Sequence, residues 1–476
     1  MNLLSSKTKL YLILICLQLT FIPKINAAQQ PNILLIISDD AGYHDFGFHG
    51  SKTMKTPNLD KLAKQGMLFK QAYVTAAVCG PSRAGLFTGK YQQRFGFEEN
   101  NVPGYMSESG LTGDEMGLPL SELTVADHLK QLGYTTGLTG KWHLGDHDKY
   151  HPMRRGFDHF YGFRTGSRSY YAYDKNELNS RQNERMELGF KNFKEHKGYL
   201  TEALVADTSQ FITNAVQTKQ PFFAVLSFSA VHAPMQAKPE DLAQFPNLSG
   251  TRKILAAMNL NMDQQLGLLF NKLKQLNIAD NTLVVFVNDN GGPTDQNNSN
   301  NYPLSGTKAN HLEGGIRVPM LMRWPEKLSA NTRFEYPVST LDLMPTFLSV
   351  AGANLSEFAH LDGVNLIPYL KAPTQKKAQA RPHKTLYWKK ENRAAIRDMD
   401  WKLLRFPDRP PELYNLANDE AEQVNLAHQQ PKIVKQLYKK LFDWELTLER
   451  PLWQLKRKFE GAAMDRMDKF RDHQPD

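Results

Sequence analysis

Cysteine is the residue this chain has least of: two among 476, Cys16 and Cys79. Cys16 lies in a stretch built like an export signal. Lys7 and Lys9 give a positive start, residues 10–22 an apolar core, and Ile25-Asn26-Ala27 a small residue where a peptidase cuts. Ile15 before Cys16 is too bulky for a lipoprotein site, and the apolar core is too short for a good membrane helix. Removal of residues 1–27 leaves Cys79 alone, which excludes an internal disulfide in the exported chain. Cys79 is then a free thiol, an intermolecular partner or a chemically modified group.

Other absences narrow the function. After the signal, no segment approaches the roughly 20 apolar residues that span a bilayer. The expected location is therefore periplasmic or secreted, with no stable membrane insertion. No helix-turn-helix, zinc finger or aromatic-basic stacking motif is present, so nucleic acid is not an expected partner. No internal repeat or long low-complexity segment occurs. The net charge is +9, and losing Lys7, Lys9 and Lys24 with the signal leaves it positive. That balance tolerates a polyanionic substrate without naming one.

Hydrophobic residues make up 41% and charged residues 22%, an ordinary globular balance. Apolar runs of strand length alternate with amphipathic stretches, which predicts an α/β fold around a large, mainly parallel sheet sandwiched by helices. Strands are expected at 32–38 (NILLIIS), 134–138, 222–228 and 282–288 (TLVVFVN). Helices are expected at 57–65, capped by Asn58, and at 123–132, 201–218, 252–276 and 339–351, the last ending at Gly352. Residues 371–382, rich in Lys, Gln, Ala and Pro, predict a boundary between a catalytic domain at 28–375 and a C-terminal α+β subdomain at 376–476. Antiparallel strands at 385–388, 394–397 and 401–406 and a helix at 431–447 fill the latter, and 455–476 reads as a mobile charged tail.

Reactive residues follow the strands at once. Asp39-Asp40 follows the first, Lys141 and His143 the second, His232 the third, and Asp289-Asn290 the fourth. Open α/β sheets bind ligands outside the carboxyl ends of their strands, so four strands deliver carboxylates, a lysine and histidines to one edge. Asp39, Asp40, Asp289 and Asn290 are hard oxygen donors, suited to calcium or magnesium rather than zinc. Calcium is the expectation, because it tolerates irregular geometry and is plentiful outside the cell.

The segment from Cys79 to Gly89 reads CGPSRAGLFTG. It resembles the C-x-P-S-R-x-x-L-x-T-G signature of the type I sulfatases of the alkaline-phosphatase superfamily. The likeness extends to the paired aspartates, to GKWHLG at 140–145, DNGG at 289–292, GTK at 306–308 and EGGIRVP at 313–319, and to ELYNLANDEAEQVNLA at 412–427. The resemblance implies an alkaline-phosphatase-like fold and a sulfuric ester hydrolase. It implies that a separate formylglycine-generating enzyme oxidises Cys79 to Cα-formylglycine (3-oxoalanine) before folding. One hydroxyl of the hydrated aldehyde would attack sulfur and expel the alcohol; the other would collapse the covalent intermediate and release sulfate. Asp39, Asp40, Asp289, Asn290 and position 79 would ligate one calcium ion. Arg83 and His143 would orient the nucleophile, Lys141 and Lys308 would neutralise the sulfate, and His232, alone or with Lys308, would protonate the leaving oxygen. Glu313 and Arg317 are expected to brace their loop.

Substrate selection lies outside these motifs. Arg154, Arg155, Arg164, Arg168, Tyr170, Tyr171 and Tyr173 cluster in one region and, with His44 after the metal pair, suit a sulfated carbohydrate. Among them His44, Arg164, Arg168, Tyr170 and Tyr171 are the expected substrate contacts. The whole chain is similar to bacterial sulfatases of marine polysaccharide use, including those acting on carrageenan, which implies a sulfated galactan. An arylsulfatase, a glycosaminoglycan sulfatase, a phosphonate monoester hydrolase and a non-catalytic glycan-binding protein are the competing readings.

Overall fold

The run NILLIIS is apolar at five consecutive positions and becomes the buried strand Asn32–Ser38 at the heart of a nine-stranded sheet. In the computed structural model, residues 30–102, 104–181, 184–370 and 381–476 are described. The export signal and most of the expected 371–382 linker lie outside them. Across the sheet the order is Thr332–Phe334, Met67–Phe69, Met320–Arg323, Thr282–Asn288, Asn32–Ser38, Phe222–Ser227, Thr135–Lys141, His159–Phe163 and Glu187–Leu188. The five strands from Thr282–Asn288 to His159–Phe163 are mutually parallel. Antiparallel pairing enters at the flanks, where Met320–Arg323 and Glu187–Leu188 join.

Because side chains alternate along a strand, the sheet feeds two cores. Ile33, Leu35 and Ile37 pack with the helices Cys79–Thr88, Val125–Gln131 and Leu343–Val350. Leu34 and Ile36 pack with Pro57–Gln65, Leu200–Gln217 and Gly250–Gln275. The expected sandwich is therefore present. A four-stranded antiparallel sheet, Thr385–Lys390, Arg393–Asp398, Trp401–Arg405 and Glu412–Asn415, follows with the helix Pro431–Glu445. Its Trp388, Ala395 and Tyr414 belong to the first core of the central sheet, whereas Ile396 and Leu403 pack on Leu437 and Leu441. The Glu412–Asn415 strand was not expected as a strand.

Three local expectations are corrected. Asn58 does not cap its helix by side chain. Thr56 holds the N-cap position, and Asp263 on the Gly250–Gln275 helix accepts the backbone N–H groups of Asn58 and Leu59 at 3.0 and 2.8 Å. The 339–351 helix starts later, because Ser339 and Asp342 form a capping box over a 3-10 turn at Thr340–Asp342 before Leu343–Val350 begins. Nor is the charged C-terminus a free tail. It forms the helix Arg457–Lys469, and then the carbonyls of Phe470 and Arg471 accept the N–H of Gly306 at 3.1 and 3.3 Å. Asp476 pairs with His44 at 3.2 Å and accepts from Ser51 and Thr53.

Candidate active site

Cys79 opens the helix Cys79–Thr88 and is 1% exposed. The ligand atoms of Asp39, Asp40, Cys79 and Asp289 lie within 4.8 Å of one another, although three separate parts of the chain supply them. The parallel register explains the meeting: Ser38 pairs with Asn288 in adjacent strands, so Asp39 and Asp289 leave the sheet side by side. Cys79 Sγ stands 3.6 Å from Asp39 Oδ1. Asp40 adopts a left-handed backbone at φ 63°, as does His143 at φ 62°. Such geometry in non-glycine residues concentrates at functional sites.

Cations surround the carboxylates. Lys141 Nζ donates to Asp39 Oδ2 at 2.5 Å, and Lys308 Nζ to both oxygens of Asp40 at 2.6 and 2.8 Å. Arg83 donates from Nε to Asp289 Oδ2 at 3.0 Å and from Nη1 to the Lys141 carbonyl at 3.1 Å and Ser227 Oγ at 2.6 Å. Burial would raise Asp40, but Lys308, His232 and Lys141 override it and hold the carboxyl below its ordinary range. Burial, reinforced by Asp39, pushes Asp289 up to about 6. Burial also raises the Cys79 thiol, so an unmodified thiol here is protonated at neutral pH and a weak nucleophile.

The donor set fits a hard dication. Asp289 Oδ1 and Asn290 Oδ1 are buried without a hydrogen-bond partner among the described residues, and Asp289 is grouped with the Asp39 and Asp40 carboxylates. Asn290 presents its amide nitrogen to Asp40 Oδ1 at 2.7 Å, and a half-turn of the amide would put Oδ1 in that place as an ion ligand. Oxygen donors of this kind suit calcium or magnesium. Three carboxylates face three cations in the cluster, so a dication leaves it with net positive charge, complementary to a sulfate ester.

The remaining polar groups stand around Cys79. His232 Nδ1 bonds the Ala233 carbonyl at 2.6 Å, and its Nε2 faces Asp40 Oδ2 at 3.4 Å. Burial lowers His232 to about 4. Burial also lowers His143, with Lys141 and Arg83 adding to the effect, so both imidazoles are neutral near pH 7. A Cβ at Gly166 would stand 2.7 Å from His143 Nε2, so position 166 must be glycine for the ring to lie there. Glu313 accepts from Tyr73 at 2.6 Å and from Lys402 at 2.8 Å, and Arg317 lies 3.7 Å away, a bracing arrangement. The glycines of DNGG and EGGIRVP pack backbone to backbone: Gly291 N donates to Gly315 O at 3.0 Å.

Sequence reasoning missed Ser227, which ties Arg83 to the Lys141 carbonyl, and Asn100, whose Oδ1 accepts the Gly80 N–H at 2.8 Å. Ser227 ends a central strand, the same signal that selected the others. The expected substrate contacts divide. Arg168 is buried and holds Glu195 at 2.6 Å, and buried Tyr170 donates to the Ser229 carbonyl at 2.6 Å, so both are corrected to structural roles. Arg155 is likewise buried against the carbonyls of Leu118 and Pro119. His44 is occupied by Asp476. Tyr171 is 40% exposed, and Arg164 lines a cavity together with Asp146, His147 and Asp148.

The profile of the sulfatase family matches residues 31–353, and that of the C-terminal region of N-sulphoglucosamine sulphohydrolase matches residues 308–446. The chain is 32% identical to human N-acetylgalactosamine-6-sulfatase over 76% of its length and 72% of that protein. It is 30% identical to human steryl-sulfatase over 74% of its length and 71% of the relative. Among solved structures, Ps i-CgsB in complex with k-i-k-neocarrahexaose superposes with a TM-score of 0.82 at 37% identity, covering 92% of this chain and 98% of that one. Phosphonate monoester hydrolase of Agrobacterium radiobacter shares the fold at a TM-score of 0.62 and 21% identity.

Proposed function

The chain belongs to the sulfatase family and is a sulfuric ester hydrolase; on that premise we propose that it removes sulfate from a sulfated galactan through a formylglycine made from Cys79 beside one calcium ion. The observation that carries the reading is the convergence of Cys79 with three buried carboxylates, Arg83, Lys141 and Lys308 at one sheet edge. The galactan assignment is supported by the likeness to a structure holding a neocarrahexaose.

Asp39, Asp40, Asp289, Asn290 and position 79 would hold the ion, which supplies Lewis-acid charge at the nucleophile and the ester oxygens. Formylglycine, once hydrated by water, would supply two hydroxyls on one carbon, one to attack and one to release sulfate. The chain's own residues do the rest. Arg83, anchored on Asp289 and Ser227, and His143, locked by its backbone and Gly166, orient position 79. Lys141 and Lys308 neutralise the sulfate as compact cations. His232 keeps its Nδ1–H on the Ala233 carbonyl, so Nε2 is a bare lone pair in the resting protein; it would take up the proton that the attacking hydroxyl releases and pass it to the leaving oxygen.

Cys79 is buried inside a helix, so its oxidation by a maturing enzyme has to precede folding. Residues 1–27 support export to the periplasm or medium. Among the described residues, no helix is long and apolar enough to cross a membrane.

The test is a screen of matured protein against defined sulfated oligosaccharides, reading free sulfate. Release from galactan oligosaccharides supports the reading. Release only from glycosaminoglycan oligosaccharides moves the substrate, a second reading that the 32% identity to an N-acetylgalactosamine-6-sulfatase favours. Faster turnover of nitrophenyl phosphate than of nitrophenyl sulfate overturns the sulfatase chemistry.

A further inference from the structure

Asp146, His147 and Asp148, which follow His143 in the chain, line a trough with Arg164 outside the catalytic cluster. His143 N donates to the Arg164 carbonyl at 2.9 Å, and Arg164 Nη1 donates to the Asp146 carbonyl at 2.9 Å, so the trough wall is tied to the catalytic strand end. The inner part holds about 390 Å³ and an adjoining part about 480 Å³, and Arg185 and Phe193 line both.

On the inner wall Asp114, Asp146, Asp148 and Glu187 outnumber Arg164, Arg185 and Lys191, so this part does not attract an anion. Arg164 grips Glu187 with two bonds of 2.7 Å and Asp148 with one of 2.9 Å, and Lys191 meets Asp148 at 2.5 Å. Burial pushes Asp146 up to about 6. The outer wall is different. Phe193 is 51% exposed, and the Arg185 guanidinium lies 5.4 Å from its ring centre. Arg185 gives an Nη2–H to the Leu178 carbonyl at 3.3 Å and its Nε is buried, which leaves Nη1 to meet a ligand. Lys194 adds a further cation beside them. Arg185 covers one face of Phe193, and the exposed remainder of the ring beside that guanidinium matches a sugar that carries an anionic group: ring C–H bonds lie on the aromatic, and the guanidinium meets a sulfate oxygen.

We propose that this trough is a saccharide subsite, in which Phe193 stacks on a sugar neighbouring the reacting residue and Arg185 binds that sugar's sulfate. The inference rests on the sulfated-glycan reading above and adds the residues that would select a polymer over a small ester. The same chemistry occurs in sulfated galactans and in sulfated glycosaminoglycans, and the experiment separates them.

Cys79→Ala protein is titrated calorimetrically with a sulfated galactan hexasaccharide, a chondroitin sulfate hexasaccharide and the matching monosaccharide sulfates. Phe193→Ala and Arg185→Ala are then added singly. Each is expected to weaken the hexasaccharide roughly tenfold, the scale of one lost anchor, with the loss confined to the longer ligand. Arg185→Lys, which keeps charge without the fork, should recover part of the affinity. Equal losses on hexasaccharide and monosaccharide, or none on the hexasaccharide, overturn the subsite. A parent that binds only the chondroitin ligand overturns the galactan assignment, and the subsite is then judged on that ligand by the same two criteria. A parent that binds neither hexasaccharide overturns the subsite itself.

Discussion

Lys308 and Cys79 are separated by 229 positions, yet Lys308 Nζ stands 3.3 Å from Cys79 Sγ while holding both oxygens of Asp40. One ammonium thus links the nucleophile position to a carboxylate of the proposed metal set. Burial alone would lower Lys308, but Asp40 and Asp39 hold it charged. It reaches this place because Ala309 N is fixed to the Ala77 carbonyl at 2.8 Å and Lys308 N to the Gly292 carbonyl at 3.3 Å.

Replacing that ammonium tests its role in neutralising charge. Lys308→Ala should lower kcat for sulfate release at least about 10²-fold, the scale of losing one charge-stabilising donor. Lys308→Arg should restore little, because a planar fork does not fit a slot built for a point charge. Initial rates with matured protein measure both. Full activity in Lys308→Ala would remove the lysine from the chemistry.

Metal removal should act on stability as well as rate. Asp289 Oδ1 and Asn290 Oδ1 are buried without partners among the described residues, and the folded site is what brings them together. An ion bound only by the folded chain adds about 2.7 kcal/mol at a hundredfold excess over its Kd. Chelation should therefore lower the melting temperature, and calcium should return it. Identical melting curves with and without chelator would contradict a metal at this position.

Lys402 joins the C-terminal sheet to the catalytic loops. Its Nζ lies 2.8 Å from both Glu313 and Glu422, all three being buried. Burial, with Glu313 nearby, pushes Glu422 up to about 7 even against Lys402. Lys402→Met leaves two buried carboxylates without their ammonium and should lose about 3–5 kcal/mol in denaturant unfolding. The triple variant with Glu313→Gln and Glu422→Gln should recover part of that loss. A loss below about 1 kcal/mol in the single variant would show the cluster to be dispensable.

His383 and Asp342 form a pH-dependent tie, with His383 Nε2 2.7 Å from Asp342 Oδ1. Burial alone would lower His383, but the Asp342 carboxylate and this bond raise it above its ordinary value. A raised folded-state value favours the folded protein fully below about pH 6.5, and the contribution fades as pH rises through the folded value. His383→Gln should therefore destabilise the protein more at pH 5.5 than at pH 9 in urea melts. A deficit equal at both, or larger at pH 9, would contradict the tie.

The sequence made the centre of the molecule legible and its rim obscure, for physical reasons. Asn32–Ser38 and Thr282–Asn288 are continuous apolar runs because both faces of the sheet are covered, so their ends locate Asp39 and Asp289. Edge strands such as Thr332–Phe334 span three residues and carry no period. The Asp263 cap of the Pro57–Gln65 helix and the docking of Asp476 on His44 depend on partners hundreds of residues away. Composition misread Arg168 and Tyr170, because an arginine or tyrosine that closes a buried hydrogen bond looks the same in sequence as one awaiting a sugar. Phe193 went unnoticed because one exposed aromatic has no motif.

Cys79 carries the central claim, and the most direct measurement pairs mass spectrometry of its peptide with sulfate release from the same preparations. Protein made with graded amounts of maturing enzyme should show sulfate release rising in proportion to the fraction of position 79 present as aldehyde. Cys79→Ala should fall at least about 10⁴-fold below the fully matured protein. A preparation whose peptide is entirely plain cysteine, yet which releases sulfate at the full rate, would contradict the account.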